Sequence, residues 1–181
     1  ALNAYLAHQP DQAFSKLETI GFFYPDSASL KDILLLKILS LNEARRWKAA
    51  DTVYTRLIRA YYGNVPPQEN PYLNIPRLKN PETAEKLSAY LPLTGAGEFY
   101  AGSIKEGMLN ALFQIGLLSF GVYNVIIEHY ITGILIGAGG YASFYNGSKR
   151  RAKKLAELYN ERKTVEFNTK LRERLMALIK K

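Results

Sequence analysis

The stretch "LPLTGAGEFYAGSIKEG", Leu91 to Gly107, has the small residues of a phosphate-cradling loop. A P-loop needs a lysine directly after its second glycine, so that backbone amides and the ammonium close on the phosphates together. Gly97 and Gly102 have the spacing, but Ser103 and Ile104 follow and Lys105 comes too late. A dinucleotide fingerprint needs a third glycine and a preceding strand. Gly95 and Gly97 fit, Tyr100 stands in the third place, and a helical pattern precedes the loop. Nucleotide binding is therefore not expected. The chain has no cysteine, which removes thiolate catalysis, disulfides and sulfur-ligated zinc. His8 and His129 are its two histidines and lie in unrelated contexts, so no metal site is expected. Acid–base work on a lipid would fall to Glu98, Glu128 and His129. Glu128-His129 reads instead as a turn between two apolar runs. No cofactor and no small-molecule substrate are implied.

Those runs are the next observation. Gly107 to Ile127, "GMLNALFQIGLLSFGVYNVII", holds no charged residue over 21 positions, and Tyr130 to Gly147 holds none over 18. About 20 apolar residues cross a bilayer core as a helix. The pair reads as a helical hairpin, either transmembrane or re-entrant, because the second run is short and rich in glycine. Gly133 and Gly137, followed by Gly140, permit close helix packing in lipid. Asn110 and Gln114, four apart, share a helix face and would point at the partner helix or at another protein. A buried hairpin in a soluble helical domain is the competing reading.

Upstream, residues 1–62 read as helices. Ala4, Leu6, Ala13, Phe14, Leu17, Ile20 and Phe23 have helical spacing, with an interruption at Pro10, Asp11 as N-cap and a stop at Pro25-Asp26. A second helical pair follows, with a turn at Arg45-Arg46-Trp47 and an end at Gly63. These units resemble tetratricopeptide repeats. Ala13 and Ala50 match the small crossing position and Pro25 the later proline, while Tyr62 stands where the second proline would be. The resemblance implies a partner-binding concave face, with Arg46, Tyr54 and Arg56 as contacts; Trp47 fits the core better. Residues 63–82 hold five of the eight prolines and read as an extended linker. Its Tyr72, Leu73, Ile75 and Leu78 are expected to pack. A short helix, Pro81 to Tyr90, leads into the glycine-rich loop.

The net charge is +8, and all of the excess lies in the tail: residues 149–181 carry 12 Lys/Arg against 4 Asp/Glu. Lys149, Arg150, Arg151, Lys153 and Lys154 directly follow the second apolar run. Such a cluster attracts anionic headgroups or a protein partner, and no nucleic-acid motif accompanies it. Amphipathic helix, broken near Asn160, is expected across residues 148–181.

The loop, the apolar pair and the basic tail together resemble a poorly characterised group of bacterial proteins. In it, tetratricopeptide-like repeats precede a membrane hairpin domain with an L-P-G-A-G-Q-x-Y-x-G motif. The matching residues are Leu91, Pro92, Gly95, Ala96, Gly97, Glu98, Tyr100 and Gly102, with an exit at Tyr141, Phe144, Tyr145, Asn146 and Gly147. Leu93-Thr94 is inserted, and Glu98 replaces the glutamine. The resemblance implies membrane association without a reaction, and an entrance loop built on Pro92, Gly95, Gly97, Glu98, Tyr100 and Gly102. A carboxylate is costly in lipid, so Glu98 is expected at headgroup level or bonded to the loop.

The expected fold is all-α: repeats over 1–62, linker over 63–82, loop and hairpin over 83–147, basic tail over 148–181. The expected function is a non-enzymatic, membrane-anchored scaffold or accessory subunit of a bacterial envelope complex, contacting a partner protein and lipid. The alternatives are a soluble all-helical interaction domain whose apolar hairpin a partner covers, and a lipid-acting enzyme. Charge bias puts the flanks in the cytoplasm; the resemblance, whose members often carry a signal peptide, puts the repeats in the periplasm. No signal-like apolar run lies near Ala1, and a leader removed upstream is compatible with that start.

Overall fold

The computed structural model describes residues 1–23, 30–63 and 70–179, the side chains of 21–23 and 179 excepted. Pro25, Asp26, Pro66 and Pro67, on which the sequence placed a stop and part of the linker, lie outside the described residues. The protein is all-α. Its helices are α1 (Leu2–Leu6), α2 (Pro10–Phe23), α3 (Leu30–Glu43), α4 (Trp47–Tyr61), α5 (Pro81–Tyr90), α6 (Ala96–Ala101), α7 (Ile104–Ile126), α8 (Tyr130–Thr132) and α9 (Gly139–Ile179). A π-helical stretch, Gly133–Ala138, joins α8 to α9.

Two compact units form: residues 1–76 with 164–181, and residues 77–163. This differs from the division into repeats, linker, hairpin and tail. The segment from Asn70 to Pro76 belongs to the first unit, and α9 is shared, changing unit after Lys163. No break occurs at Asn160, where α9 runs on. Asparagine in a helix interior costs only a few tenths of a kcal/mol to about 0.7 kcal/mol. Here its amide is used: Nδ2 donates to the Lys79 carbonyl (2.6 Å) and Oδ1 accepts from the Lys79 amide (2.7 Å).

The first unit buries Leu34, Ile38, Leu41, Trp47, Ala50, Leu57 and Ile58 of α3 and α4 with Leu171 and Leu175 of α9. Ala13 and Ala50 are fully buried. Tyr72 and Ile75 pack here as expected, whereas Leu73 and Leu78 are exposed. A polar bridge threads this core. Trp47 Nε1 donates to Asn168 Oδ1 (3.0 Å), Asn168 Nδ2 to the Asn42 carbonyl (2.9 Å), and the Tyr72 hydroxyl to Asn42 Oδ1 (3.0 Å). Burial pushes the Tyr72 hydroxyl well above the usual phenol range.

Four helix ends share one device. In a Schellman motif the chain turns through a left-handed residue while two amides reach back to carbonyls of the last turn. After α3, Arg45 (φ 59°) is that residue, with Arg46 N–H donating to Leu41 (2.8 Å) and Arg45 N–H to Asn42 (3.1 Å). The same pattern closes α1 at His8 (φ 55°), α6 at Gly102 (φ 90°) and α7 at Glu128 (φ 66°).

Candidate functional site

α5 starts as its sequence dictates. Asn80 caps it, accepting from the Glu82 and Thr83 amides (2.8 and 3.2 Å), and Pro81 takes the first position. Pro92 opens a short 3-10 turn, Pro92–Thr94, that holds Leu93 and Thr94. Gly95 then adopts φ 66°, and a Cβ there would lie 2.2 Å from the Gly107 carbonyl oxygen. A Cβ on Gly97 would lie 2.0 Å from Ser88 Oγ, because α6 is pressed against α5. Close packing accounts for these glycines. Lys79 lies over the Tyr159 ring (4.5 Å) and the Tyr100 ring (5.6 Å), donates to the Tyr100 carbonyl, and fills the space beside Gly102.

This close packing carries Glu98 inward: it is 1% exposed. Its partners come from three other helices. Oε1 accepts from Asn110 Nδ2 of α7 and from Ser148 Oγ of α9, each at 2.9 Å. Oε2 accepts from Ser88 Oγ of α5 at 3.3 Å. The expectation that Glu98 bonds its own loop is corrected: it ties helices together. Asn110 also donates to Ser148 Oγ (2.7 Å), and Gln114 Nε2 donates to Asn110 Oδ1 (2.9 Å). The shared face of Asn110 and Gln114 is as the four-residue spacing demands. Ser88 and Ser148 carry no signal in sequence.

Above this network, α7 and the segment after it pack backbone to backbone. A Cβ on Gly137 would lie 2.3 Å from Gly121 Cα, and one on Gly133 would lie 2.9 Å from the Gly121 carbonyl oxygen. Gly140 sits against Leu117. Gly121 is the partner the sequence did not reveal. Glu128-His129 forms the turn, with the His129 amide donating to the Asn124 carbonyl (2.8 Å).

The outward faces of both segments are apolar. Leu112, Phe113 and Ile126 on α7, and Ile131, Ile134 and Leu135 after the turn, are exposed. α7 spans 23 residues, and only 17% of its most apolar window is buried. It is the one helix among the described residues long and apolar enough to cross a membrane. The second run does not form such a helix: it is divided among α8, the π-helical stretch and the start of α9.

A cleft of about 450 Å³ opens beside the network. Leu109, Phe113 and Phe144 form an apolar wall, with the two rings stacked at 5.4 Å. At its polar side Arg151 holds Glu106 through two bonds, Nε to Oε2 (2.5 Å) and Nη2 to Oε1 (2.7 Å).

The expected lipid-contact cations are thus partly engaged already. Arg151 pairs with Glu106, Lys153 with Glu85 (3.4 Å) and Lys154 with Glu157 (3.4 Å), while Lys149 lies over the Tyr145 ring (4.4 Å). Arg150 is exposed. Of the expected repeat-face contacts, Tyr54 is corrected: it is buried against Tyr72, ring to ring at 5.6 Å, and a partner cannot reach it. Arg46 is exposed and pairs with Asp11 (3.1 Å); Arg56 borders a shallow depression with Thr52 and Arg59.

The fold is all-α, and among the described residues one helix is long and apolar enough to cross a membrane. No protein-family model, no curated protein and no solved structure matches the chain.

Proposed function

We propose that the protein is a membrane-anchored, non-enzymatic scaffold or accessory subunit of a bacterial envelope complex. The observation that carries the reading is the exposed apolar face of α7. A soluble protein rarely leaves so continuous a patch in water, and 23 residues at about 1.5 Å each reach the roughly 30 Å of a bilayer core. Asn110 and Glu98 are bonded among the helices, as polar groups at membrane depth must be, and Gln114 donates to Asn110 while its own buried Oε1 is left without a partner. Gly121, Gly133 and Gly137 supply the close packing that holds helices together where lipid removes the hydrophobic drive. The basic residues beyond the second run, Arg150 foremost, meet anionic headgroups. The first unit, with its tetratricopeptide-like helical pairs, binds a partner protein through exposed residues such as Arg46 and Arg56. The chain returns after Glu128-His129 to the side it left; charge bias favours the cytoplasm for that side.

Alkaline carbonate extraction of bacterial membranes containing the protein tests the anchor. Retention in the pellet, lost on deleting residues 107–147, is expected. Release as a monodisperse soluble protein would overturn the anchor and favour a soluble domain whose apolar face a protein partner covers.

A further inference from the structure

The cleft beside the polar network has the chemistry of a headgroup site, and the inference rests on the membrane reading above. Its apolar wall, Leu109, Phe113 and Phe144, lies on the two segments whose outer faces are proposed to meet lipid. Its volume of about 450 Å³ falls within the range of small-ligand sites. An amphiphile can therefore seat its polar end here while its chains remain in the bilayer. The polar side determines which one. Arg151 spends Nε and Nη2 on Glu106 and keeps Nη1 for a further acceptor. The Glu106 oxygens each take one guanidinium N–H and have lone pairs left for another donor. Deeper, Glu98 adds a second carboxylate to the lining.

Two carboxylates and one guanidinium line the cleft. A purely anionic headgroup reaches Arg151 only beside that excess of negative charge. A zwitterion places its phosphate at Arg151 and its cation at Glu106, and adds nothing to that excess. The cation must also donate hydrogen bonds to the carboxylate, which a primary ammonium does through three N–H groups and a quaternary ammonium does not. The geometry points to a site for an aminophospholipid of the phosphatidylethanolamine class, its phosphate on Arg151 and its ammonium on Glu106.

The test places the full chain in nanodiscs of equimolar dioleoyl phosphatidylethanolamine, phosphatidylglycerol and phosphatidylcholine. Lipids that stay bound after transfer to detergent are counted by native mass spectrometry. Phosphatidylethanolamine is expected to be enriched about tenfold over the other two, the effect of one charge-assisted hydrogen bond. Glu106→Gln with Arg151→Gln, at an exposed pair whose loss costs the fold little, is expected to abolish the enrichment. Carbonate extraction of the same proteins separates the two levels. Release from membranes overturns the anchor and this site with it. Retention with equal binding of all three lipids, or with phosphatidylglycerol preferred, overturns the site alone, as does enrichment that survives the double substitution.

Discussion

The contact between α7 and the segment after it is tight enough to be tested with one methyl group. In Gly137→Ala the new Cβ would lie 2.3 Å from Gly121 Cα, whereas ordinary contact begins at 3.4 Å. The backbones must part by the difference, about 1.1 Å, and neither side is a flexible side chain that can swing away. Overpacking of this kind costs about 1–3 kcal/mol. Alanine also raises helix propensity by about 0.8–1.0 kcal/mol over glycine, which would mask part of the loss. Gly116→Ala is the control: it lies on α7, gains the same propensity, and its Cβ meets nothing within 4 Å. The difference between the variants therefore isolates the packing term. For a chain of this length about 1 kcal/mol moves the melting temperature by roughly 2–4 °C. Gly137→Ala is expected to melt about 2–12 °C below Gly116→Ala, followed by circular dichroism in mild detergent. Equal melting temperatures would refute the backbone-to-backbone contact.

Three further substitutions probe the rest of the account. Glu98→Gln keeps an acceptor oxygen for Asn110 and Ser148 and is expected to change stability by less than about 1 kcal/mol, whereas Glu98→Leu strands buried donors at about 1–3 kcal/mol each; thermal unfolding of both separates a structural tie from mere filling. Asn168→Ala removes the acceptor of Trp47 Nε1 and the donor to Asn42, and urea unfolding followed by the single tryptophan is expected to show a loss of about 1–3 kcal/mol. Arg45→Gly relieves a left-handed, non-glycine helix end and is expected to stabilise the first unit by about 0.5–1 kcal/mol; a lower urea midpoint would contradict the Schellman assignment.

Local chemistry in the sequence was a good guide wherever it was sufficient. Pro81 marked the start of α5, and the charge-free run after Lys105 and Glu106 marked α7. The spacing of Asn110 and Gln114 put them on one face, and they bond each other. What escaped depends on partners distant in the chain. Ser88 and Ser148 meet Glu98 across 10 and 50 residues, and nothing in a serine announces that. Gly121 gains meaning only when Gly137 comes opposite. The turns at Arg45-Arg46-Trp47 and Glu128-His129 stand where the sequence put them, but not on the residue type expected there. Glycine is the usual left-handed residue, but His8, Arg45 and Glu128 take that conformation too, supported by their backbone bonds. Asn160 read as a break because asparagine favours caps; its side chain instead mimics a backbone pair to Lys79. Tyr54 followed the repeat pattern to a surface role, and burial against Tyr72 removes it from that surface.

The central claim is that the exposed apolar faces of α7 and of the segment after it lie in lipid. Because these 181 residues include no cysteine, single cysteines report cleanly. Leu112→Cys and Leu135→Cys sit on those faces, and Arg150→Cys lies beyond them. In proteoliposomes treated with a membrane-impermeant maleimide, after permeabilisation so that both sides are reached, Arg150→Cys is expected to label fully. Leu112→Cys and Leu135→Cys are expected to remain unlabelled until the bilayer is dissolved in sodium dodecyl sulfate. Labelling of Leu112→Cys and Leu135→Cys at the rate of Arg150→Cys in intact bilayers would contradict the account.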